Sequence, residues 1–446
     1  MNREPARMND KGDYTPSETV KWLDRHVVGQ AAAKRSVAIA LRNRYRRRLA
    51  PDDIRPEIYP SNLIMMGPTG IGKTEIARRL ANLTGAPFVK VEATKYTETG
   101  YVGRDVESMV RSLVRQAVNI EAERERKDRA EHVEQAVTGK LVAALKSSGY
   151  ETISDAELKR MLESGSLEDT RVEMILPDQL PNMEIMPLMP GAGFDNAAGE
   201  NLKKLMQKMM GGRRKRTELP VSEARERLRE EEMGRLLEGS DHISRGLTLA
   251  QEEGIIFIDE IDKIIGISES KGPEVSRAGV QRDLLPIVEG CAVQTRYGPV
   301  VTDHILFIAA GAFNGSSPSD LIPELQGRFP MRVELDPLSE EDLLRILTEP
   351  ENSLLKQYTS LLEADGVKLR LSRGASREVA RVASHLNQET DDIGARRLRP
   401  VLSYLLDQQL FGAPDLVRGP VSISGTSAKS ILLDLADRRE DGNYIL

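Results

Sequence analysis

Short apolar runs recur along this chain, separated by longer segments in which apolar residues stand three and four positions apart. Short runs bounded by polar or turn-forming residues are typical of buried strands, and the wider spacing is typical of amphipathic helices. Strands that alternate with helices favour an α/β fold with a parallel sheet. The predicted strands lie at 62–66, 88–91, 254–259, 304–310 and 331–335.

Helical spacing accompanies these strands and dominates the chain after residue 336. Ser17 and Ser339 are predicted N-caps, because a serine hydroxyl can accept a hydrogen bond from a free N–H group of the first helical turn. Two short strands, at 366–372 and 421–424, interrupt the mostly helical C-terminal part. The other predicted helices cover 17–23, 31–49, 75–84, 106–127 and 281–288.

A glycine-rich motif lies between the first predicted strand and the helix that follows it. Residues 67–74 read GPTGIGKT, which has the form G-x-x-x-x-G-K-[ST]. In this setting backbone N–H groups and the helix N-terminus bind phosphate oxygens, a lysine reaches the β and γ phosphates, and a hydroxyl holds Mg²⁺. A chance match in an ordinary turn would lack the flanking strand and helix. We therefore expect ATP and Mg²⁺ as cofactors, bound by Gly70, Ile71, Gly72, Lys73, Thr74 and Glu75.

Two acidic residues end the strand predicted at 254–259. Open α/β sheets carry their sites at the C-terminal ends of the strands, so these carboxylates are expected to face the phosphates. Asp259 is the candidate ligand of Mg²⁺, directly or through water, and Glu260 is the candidate base that orients and deprotonates the attacking water. The alternative is a buried strand that ends in ordinary surface acids.

A large insertion separates the two motifs. Lys73 and Asp259 are much farther apart than two βαβ units of roughly 30 residues each require. The predicted insertion, 111–243, has charged helical flanks, which fit two long helices that pair as a stalk with ion pairs at positions i and i+4. Its centre, 181–216, is rich in Met, Gly and Pro and is predicted to be mobile or disordered. The methionines suit either an adaptable contact surface or loose core filling.

Composition narrows the class of protein. The chain has 446 residues, a net charge of −6 and one cysteine, Cys291. These numbers predict several domains, exclude a disulfide framework and a cysteine-based zinc site, and give no bulk electrostatic case for nucleic acid. The basic run at 42–48 is interpreted as a solvated helix face. No apolar run approaches the roughly 18 residues that span a bilayer, so we expect a cytoplasmic protein without a membrane partner.

Several separate motifs resemble those of the AAA+ ATPases, and within them the Clp/HslU branch. The resemblance runs from about Thr15 to the last residue, and the large insertion is similar to that of the HslU (ClpY) family rather than ClpX. It implies an AAA+ P-loop parallel-sheet domain at 17–110 and 244–335, a helical insertion and a mostly helical small domain at 336–446, after a flexible N-terminus at 1–16. The matching motifs lie at 28–30, 67–74, 100–103, 258–260, 324–328 and 394–398.

The resemblance also implies roles for individual residues. Val28 would lie against adenine, and Arg396 would contact the γ-phosphate from the small domain. Arg328 would act as an arginine finger on the nucleotide of the neighbouring subunit, with Glu324 beside it. Without the resemblance, a structural ion pair would be the favoured interpretation of either arginine. The residue that senses the phosphate near the end of the fourth strand, around Asn314, is not assigned.

A hexameric, ATP-driven protein unfoldase and translocase is the function that the resemblance implies. Gly100, Tyr101, Val102 and Gly103 would form a pore loop that grips unfolded or tagged protein substrates; the alternative is an exposed turn. The C-terminal residues Tyr444, Ile445 and Leu446 would dock on, and activate, a separate HslV-like peptidase; the alternative is that they pack on their own domain. Two other functions stay open, a stand-alone ClpX-like remodeller and a nucleic-acid motor. The acidic charge and the apolar pore loop argue against the motor.

Overall fold

The computed structural model describes residues 14–96, 105–177, 214–265 and 277–437. The predicted pore loop at 100–103, most of the centre of the insertion and the tail at 444–446 lie outside these described residues. The chain divides into two compact units, Met1–Ile120 with Ser244–Leu446, and Glu121–Ile243.

The first unit contains a five-stranded sheet with helices on both faces. Its strands are β1 (Leu63–Met66), β2 (Phe88–Glu92), β5 (Ile255–Asp259), β8 (Leu306–Gly311) and β9 (Met331–Glu334). Around them lie α1 (Pro16–Asp24), α2 (Ala31–Arg48), α3 (Lys73–Thr84), the start of α4 (Glu107–Ser147), α7 (His242–Glu253), α8 (Arg277–Glu289) and α9 (Pro323–Arg328). A short hairpin of β6 (Ala292–Thr295) and β7 (Gly298–Val301), which the sequence pattern did not predict, precedes β8.

All five strands of the sheet are parallel, in the order β2-β5-β8-β1-β9. Alternate residues belong to different buried clusters: Ile256 and Ile258 pack on one face, and Ile255 and Phe257 on the other. Both faces are therefore buried, which explains why the strands read as continuous apolar runs. The predicted α/β class and its five strands are confirmed. The segments that follow β1, β5 and β8 all begin at the same, C-terminal edge of the sheet.

The C-terminal part of the first unit has a separate apolar cluster. It consists of α10 (Glu340–Thr348), α11 (Leu354–Ala364), β10 (Val367–Leu371), α12 (Arg373–Glu389), α13 (Leu398–Leu405), α14 (Asp407–Gly412), β11 (Gly419–Ile423) and α15 (Gly425–Asp437). Leu347, Val379 and Leu402 are fully buried in this cluster. Ser339 caps α10 as predicted. The division of the unit into a large and a small domain stays a prediction, which this separate core supports.

Two details at the N-terminus differ from expectation. Thr15 caps α1 in place of Ser17, because its hydroxyl accepts from Glu18 N–H while the Glu18 carboxylate accepts from Thr15 N–H. The basic run on α2 is also less solvated than expected. Arg44 donates to the carbonyl oxygen of Glu252 at 2.6 Å, and Arg47 pairs with the Glu252 carboxylate at 2.8 Å. These arginines therefore bind the C-terminal end of α7.

The second unit is a helical pair with a small hairpin. The long helix α4, of 41 residues, continues far beyond the predicted end at 127, and α6 (Val221–Glu238) pairs with its distal half. Arg229 and Glu134 form an ion pair across the two helices at 2.5 Å, and Lys140 and Glu232 form another at 2.5 Å. Ion pairs at i and i+4, such as that of Arg129 with Glu125, line the stalk as predicted.

A helix and an antiparallel hairpin complete this unit: α5 (Asp155–Glu163), β3 (Arg171–Pro177) and β4 (Arg214–Pro220). The prediction that residues 181–216 are unstructured was wrong at their end, because Arg216 pairs with Ile175 in the hairpin. Val172 and Leu219 point into the apolar cluster of the unit and hold the two strands against the helices. Within the described ranges, no helix is long and apolar enough to cross a membrane.

Candidate active site

A cavity of about 600 Å³ opens beside the C-terminal edge of the sheet. Its volume is in the range of small-molecule and cofactor sites. Segments far apart in sequence contribute its wall: His26; Thr69, Gly70, Gly72, Lys73, Thr74 and Glu75 after β1; Asp259, Glu260, Asp262 and Lys263 from the end of β5; Gly311, Ala312 and Asn314 from the end of β8; Ile346, Pro350, Asn352, Ser353, Leu354 and Gln357 around α10 and α11; and Ala395, Arg396 and Arg399 before and in α13.

The glycine-rich loop between β1 and α3 forms one wall. Gly67, Gly70 and Gly72 all have positive φ angles, which turn the loop tightly into the first turn of α3. The Lys73 ammonium donates to the carbonyl oxygens of Gly67 and, at 2.9 Å, of Pro68. Burial lowers the pKa of Lys73, and the negative charge of Asp259 opposes this shift. A glycine-rich turn that leads into a helix N-terminus is the backbone arrangement that binds an anion.

The loop also touches the segment that carries Arg396. The Ala395 N–H donates to the Gly70 carbonyl oxygen at 3.2 Å. A Cβ atom on Gly70 would lie 2.0 Å from the carbonyl oxygen of Ile393, and one on Gly394 would lie 2.7 Å from the carbonyl oxygen of Thr69. Two glycine backbones therefore meet directly, and this contact brings Arg396 to the cavity wall.

Asp259 ends β5 next to the first turn of α3. Its carboxylate lies 3.5 Å from the Thr74 hydroxyl and pairs with Lys90 of the adjacent strand β2 at 2.7 Å. One carboxylate and one hydroxyl are hard oxygen donors, which Mg²⁺ prefers, and Mg²⁺ usually takes few protein ligands together with phosphate oxygens and water. The described residues contain no cluster of three or more His, Cys, Asp or Glu side chains that could hold a metal alone. The donor set fits Mg²⁺ that arrives with a nucleotide.

Glu260 follows in a left-handed conformation, with φ of +57°. This conformation is uncommon for a residue with a side chain and turns the chain sharply at the end of β5. The Glu260 carboxylate lines the cavity and accepts a hydrogen bond from the Thr94 hydroxyl at 3.4 Å. Glu260 therefore belongs to a different segment of the cavity wall from the glycine-rich loop.

Comparison with known sequences identifies the family. A profile described as AAA domain (Cdc48 subfamily) matches residues 181–332, and one described as ATPase family associated with various cellular activities matches residues 63–132. The chain is 47% identical to the ATP-dependent protease ATPase subunit HslU of Geobacillus sp. (strain WCH70), over 97% of this chain and 99% of the relative. It is 46% identical to the ATP-dependent protease ATPase subunit ClpY of Bacillus pumilus, over 98% and 100%.

The chain belongs to the HslU (ClpY) family. It is an AAA+ ATPase that binds ATP.

Some residues predicted for the HslU nucleotide site lie away from the cavity wall. Val28 and Ile71 are buried but do not line the cavity, whereas His26, two residues before Val28, does. Arg328 pairs with Glu289 at 3.0 Å and, like the exposed Glu324, is absent from the wall. The structure thus brings together the loop residues, both acids and Arg396, and leaves Arg328 and Glu324 on another part of the surface.

Several residues of the HslU cavity were missed or left unassigned by the sequence analysis. Asn314 follows β8 as expected of a phosphate-facing residue, but nothing in one sequence distinguishes it from its neighbours. Asp262 is in the same acidic segment as Asp259, and its closeness to Asp259 in the sequence could have suggested a role in the site. His26 is 9% exposed, neither ring nitrogen has a hydrogen-bond partner among the described residues, and burial lowers its pKa.

Proposed function

We propose that this chain is an ATP-dependent protein unfoldase and translocase that feeds substrates to, and activates, a separate HslV-like peptidase. The observation that carries the proposal is the cavity, in which the glycine-rich loop, two acids and an arginine of the C-terminal part converge. The names of the relatives, ATP-dependent protease ATPase subunits, support the coupling to a protease.

Hydrolysis is assigned to residues of this cavity. The loop N–H groups and Lys73 hold the phosphates, and Glu260 orients and deprotonates the attacking water. Thr74 and Asp259 would hold Mg²⁺, which neutralises phosphate charge. For this, the Asp259 carboxylate exchanges its present partner, Lys90, which lies 2.7 Å away. Val28 is proposed to contact the adenine.

Completion of the site requires a second copy of the chain. Arg328 and Glu324 do not line the cavity of their own chain. We therefore assign them to the nucleotide of the next subunit, where the guanidinium would stabilise the charge that develops during hydrolysis. A head-to-tail contact of this kind forms a ring where its rotation closes, and the HslU family resemblance favours a homo-hexamer.

Mechanical work is assigned to three elements. Arg396 and the contact between Gly70 and Gly394 link the phosphate position to the proposed small domain at 336–446. The pore loop at 100–103, two residues before the described segment that leads into α4, would grip the substrate with Tyr101 and Val102. The tail at 444–446 would dock on the peptidase. These roles rest on the family resemblance, because neither segment is among the described residues.

A nucleic-acid motor is less well supported. The basic run of α2 is the segment that would serve it, yet Arg44, Arg47 and Arg48 are each bonded to Glu252 or Glu253. Unfolded or tagged proteins are therefore the proposed substrates, in the cytoplasm, with no nucleic acid and no membrane as partner. ATPase stimulation by unfolded protein, and not by DNA, would distinguish these classes.

The Tyr101→Ala variant tests the unfoldase proposal. Basal ATP hydrolysis should stay within about twofold of wild type, because Tyr101 is far in sequence from every phosphate-binding residue, while degradation of a stable folded substrate with an HslV-like peptidase should be lost. Tyr101→Phe is the matched control, which retains the ring and should retain degradation. Normal degradation of the folded substrate by the alanine variant would contradict the pore-loop assignment.

A further inference from the structure

The ends of β5 and β8 share an unusual backbone geometry. β5 and β8 are adjacent in the sheet, and both end at the cavity. Glu260, directly after β5, has φ of +57°, and Phe313, two residues after β8, has φ of +54°. A left-handed phenylalanine costs free energy and persists only where the surrounding structure holds it. Something must therefore fix the backbone at Phe313.

Asp262 is the group that contacts this backbone. Its Oδ2 atom accepts a hydrogen bond from the Phe313 N–H at 3.3 Å, across 51 residues of sequence. Asp262 is only 8% exposed, so the bond is partly shielded from water. The loop after β5 is thus tied to the chain after β8 by a buried carboxylate.

Close packing restricts this carboxylate and the Phe313 ring. A Cβ atom on Gly311 would lie 2.6 Å from Asp262 Oδ1 and 2.8 Å from Phe313 Cε2. Both side chains therefore lie against the bare backbone of Gly311 and occupy the space that a side chain there would take. The position of the Phe313 backbone is fixed by the bond on one side and by packing on the other.

Asn314 is the next residue and lines the cavity. The direction of its side chain follows from the backbone angles of Phe313. We propose that Asp262 is a positioning residue, which holds Asn314 toward the nucleotide through the backbone of Phe313. The proposal rests on the assignment of this cavity to ATP hydrolysis. It adds a contact that fixes the end of β5 relative to the end of β8.

A second way in which Asp262 could act is through its charge. It lines the cavity itself, and its carboxylate is among the groups that act on Lys73. The two roles make different demands on the side chain. Positioning needs an acceptor for the Phe313 N–H, which an asparagine amide oxygen also provides, whereas a charge role needs the carboxylate.

Steady-state ATP hydrolysis by five variants tests the proposal. In Asp262→Ala, kcat should fall about tenfold to a hundredfold with KM for ATP within about threefold of wild type, because misplacement of a site group costs rate. Asp262→Asn should keep kcat within about threefold. If Asp262 acts through Asn314, the double variant Asp262→Ala/Asn314→Ala should be no slower than Asn314→Ala alone. Asp365→Ala, an exposed acid after α11, is the control for loss of a carboxylate and should hydrolyse ATP at the wild-type rate.

Three outcomes would overturn the proposal: an Asp262→Asn variant as slow as Asp262→Ala, effects of Asp262→Ala and Asn314→Ala that multiply, or wild-type kcat in Asp262→Ala. Should Asp262→Ala fail to fold, Gly311→Ala replaces it, since its methyl group displaces both Asp262 and Phe313. That variant should show the same fall in kcat, and wild-type kcat would reject the proposal. The readout is ATP hydrolysis alone, so a negative result leaves the unfoldase proposal untouched.

Discussion

Some residues of the site can be identified in the sequence from their chemical type and motif. Others can be identified only from their position in the structure. Lys73, Asp259 and Glu260 were predictable because phosphate binding needs these residue types at these places in a strand-loop-helix unit. Asp262 and Asn314 were not, because one sequence does not tell which residue after a strand faces the cavity. The Phe313 backbone, left-handed without a glycine, has no signature in the sequence.

Glu260→Gln is the sharpest test at this scale. Glu260 lies after β5, apart from the loop that follows β1, so the variant should bind ATP as wild type does. Loss of a general base should lower kcat by about 10² to 10⁴-fold. A fluorescent ATP analogue measures binding, and phosphate release measures turnover. Lys73→Thr is the contrasting variant, which should lose binding. Near wild-type turnover in Glu260→Gln would show that the base is another group.

At the scale of helices and strands, patterns within a single segment predicted most elements. Features that depend on contacts between distant segments were not predicted. All five strands of the main sheet are apolar runs that need no partner to be recognised. The hairpin of β3 and β4 pairs segments more than 30 residues apart, so no short turn sequence between the strands predicts their pairing. The predicted end of α4 at 127 was too early: no glycine or proline follows until Gly139, and the helix passes through that glycine to Ser147.

The junction of α2, α7 and β8 contains a half-buried histidine, His304, that makes a pH prediction possible. Burial lowers the pKa of His304, and the Arg47 guanidinium, which contacts its ring, lowers it further, while Glu252 and Asp303 oppose this. The unfolded chain therefore takes up this proton at higher pH than the folded chain does. Stability should fall as pH drops below about 6.5, the ordinary histidine value, toward the lower folded pKa.

His304→Gln should reduce this acid sensitivity, because its amide oxygen can accept from Arg47 but does not titrate. Urea midpoints compared near pH 7.5 and pH 5.5 measure the effect, and the loss between them should be smaller in the variant. Some loss should persist, since burial also lowers the pKa of His26. His132→Gln, at an exposed position on α4, is the control and should behave as wild type. Equal losses in His304→Gln and wild type would contradict the prediction.

For the whole molecule, the proposed function needs a second copy of the chain to complete the site. Arg328 is occupied by Glu289 and does not reach the cavity of its own chain. The sequence suggested this only through the family resemblance, because an ion pair and an arginine finger look the same in a single chain. Sequence patterns predicted the fold class, but the position of Arg328 away from the cavity wall needed coordinates.

Removal of Tyr444, Ile445 and Leu446 tests the proposed partnership. Each side chain could contribute roughly 1.5–3 kcal/mol if buried in a partner pocket. The truncated chain should keep ATPase activity and ring assembly but fail to activate an HslV-like peptidase, and a synthetic tail peptide at high concentration should activate it partly. Asn443→Ala, which leaves the three apolar residues in place, is the control. Undiminished peptidase activation after truncation would assign the coupling surface to another part of the chain.

The contact between Gly70 and Gly394 has a consequence for how this sequence can vary. In the motif G-x-x-x-x-G-K-[ST], position 70 is one of the variable positions, so phosphate binding alone does not demand glycine there. The carbonyl oxygen of Ile393, 2.0 Å from where a Cβ atom would stand, does demand it. Selection from a library randomised at both positions should therefore return glycine twice. Substitution of one cannot be compensated at the other, since each meets backbone, which no mutation removes.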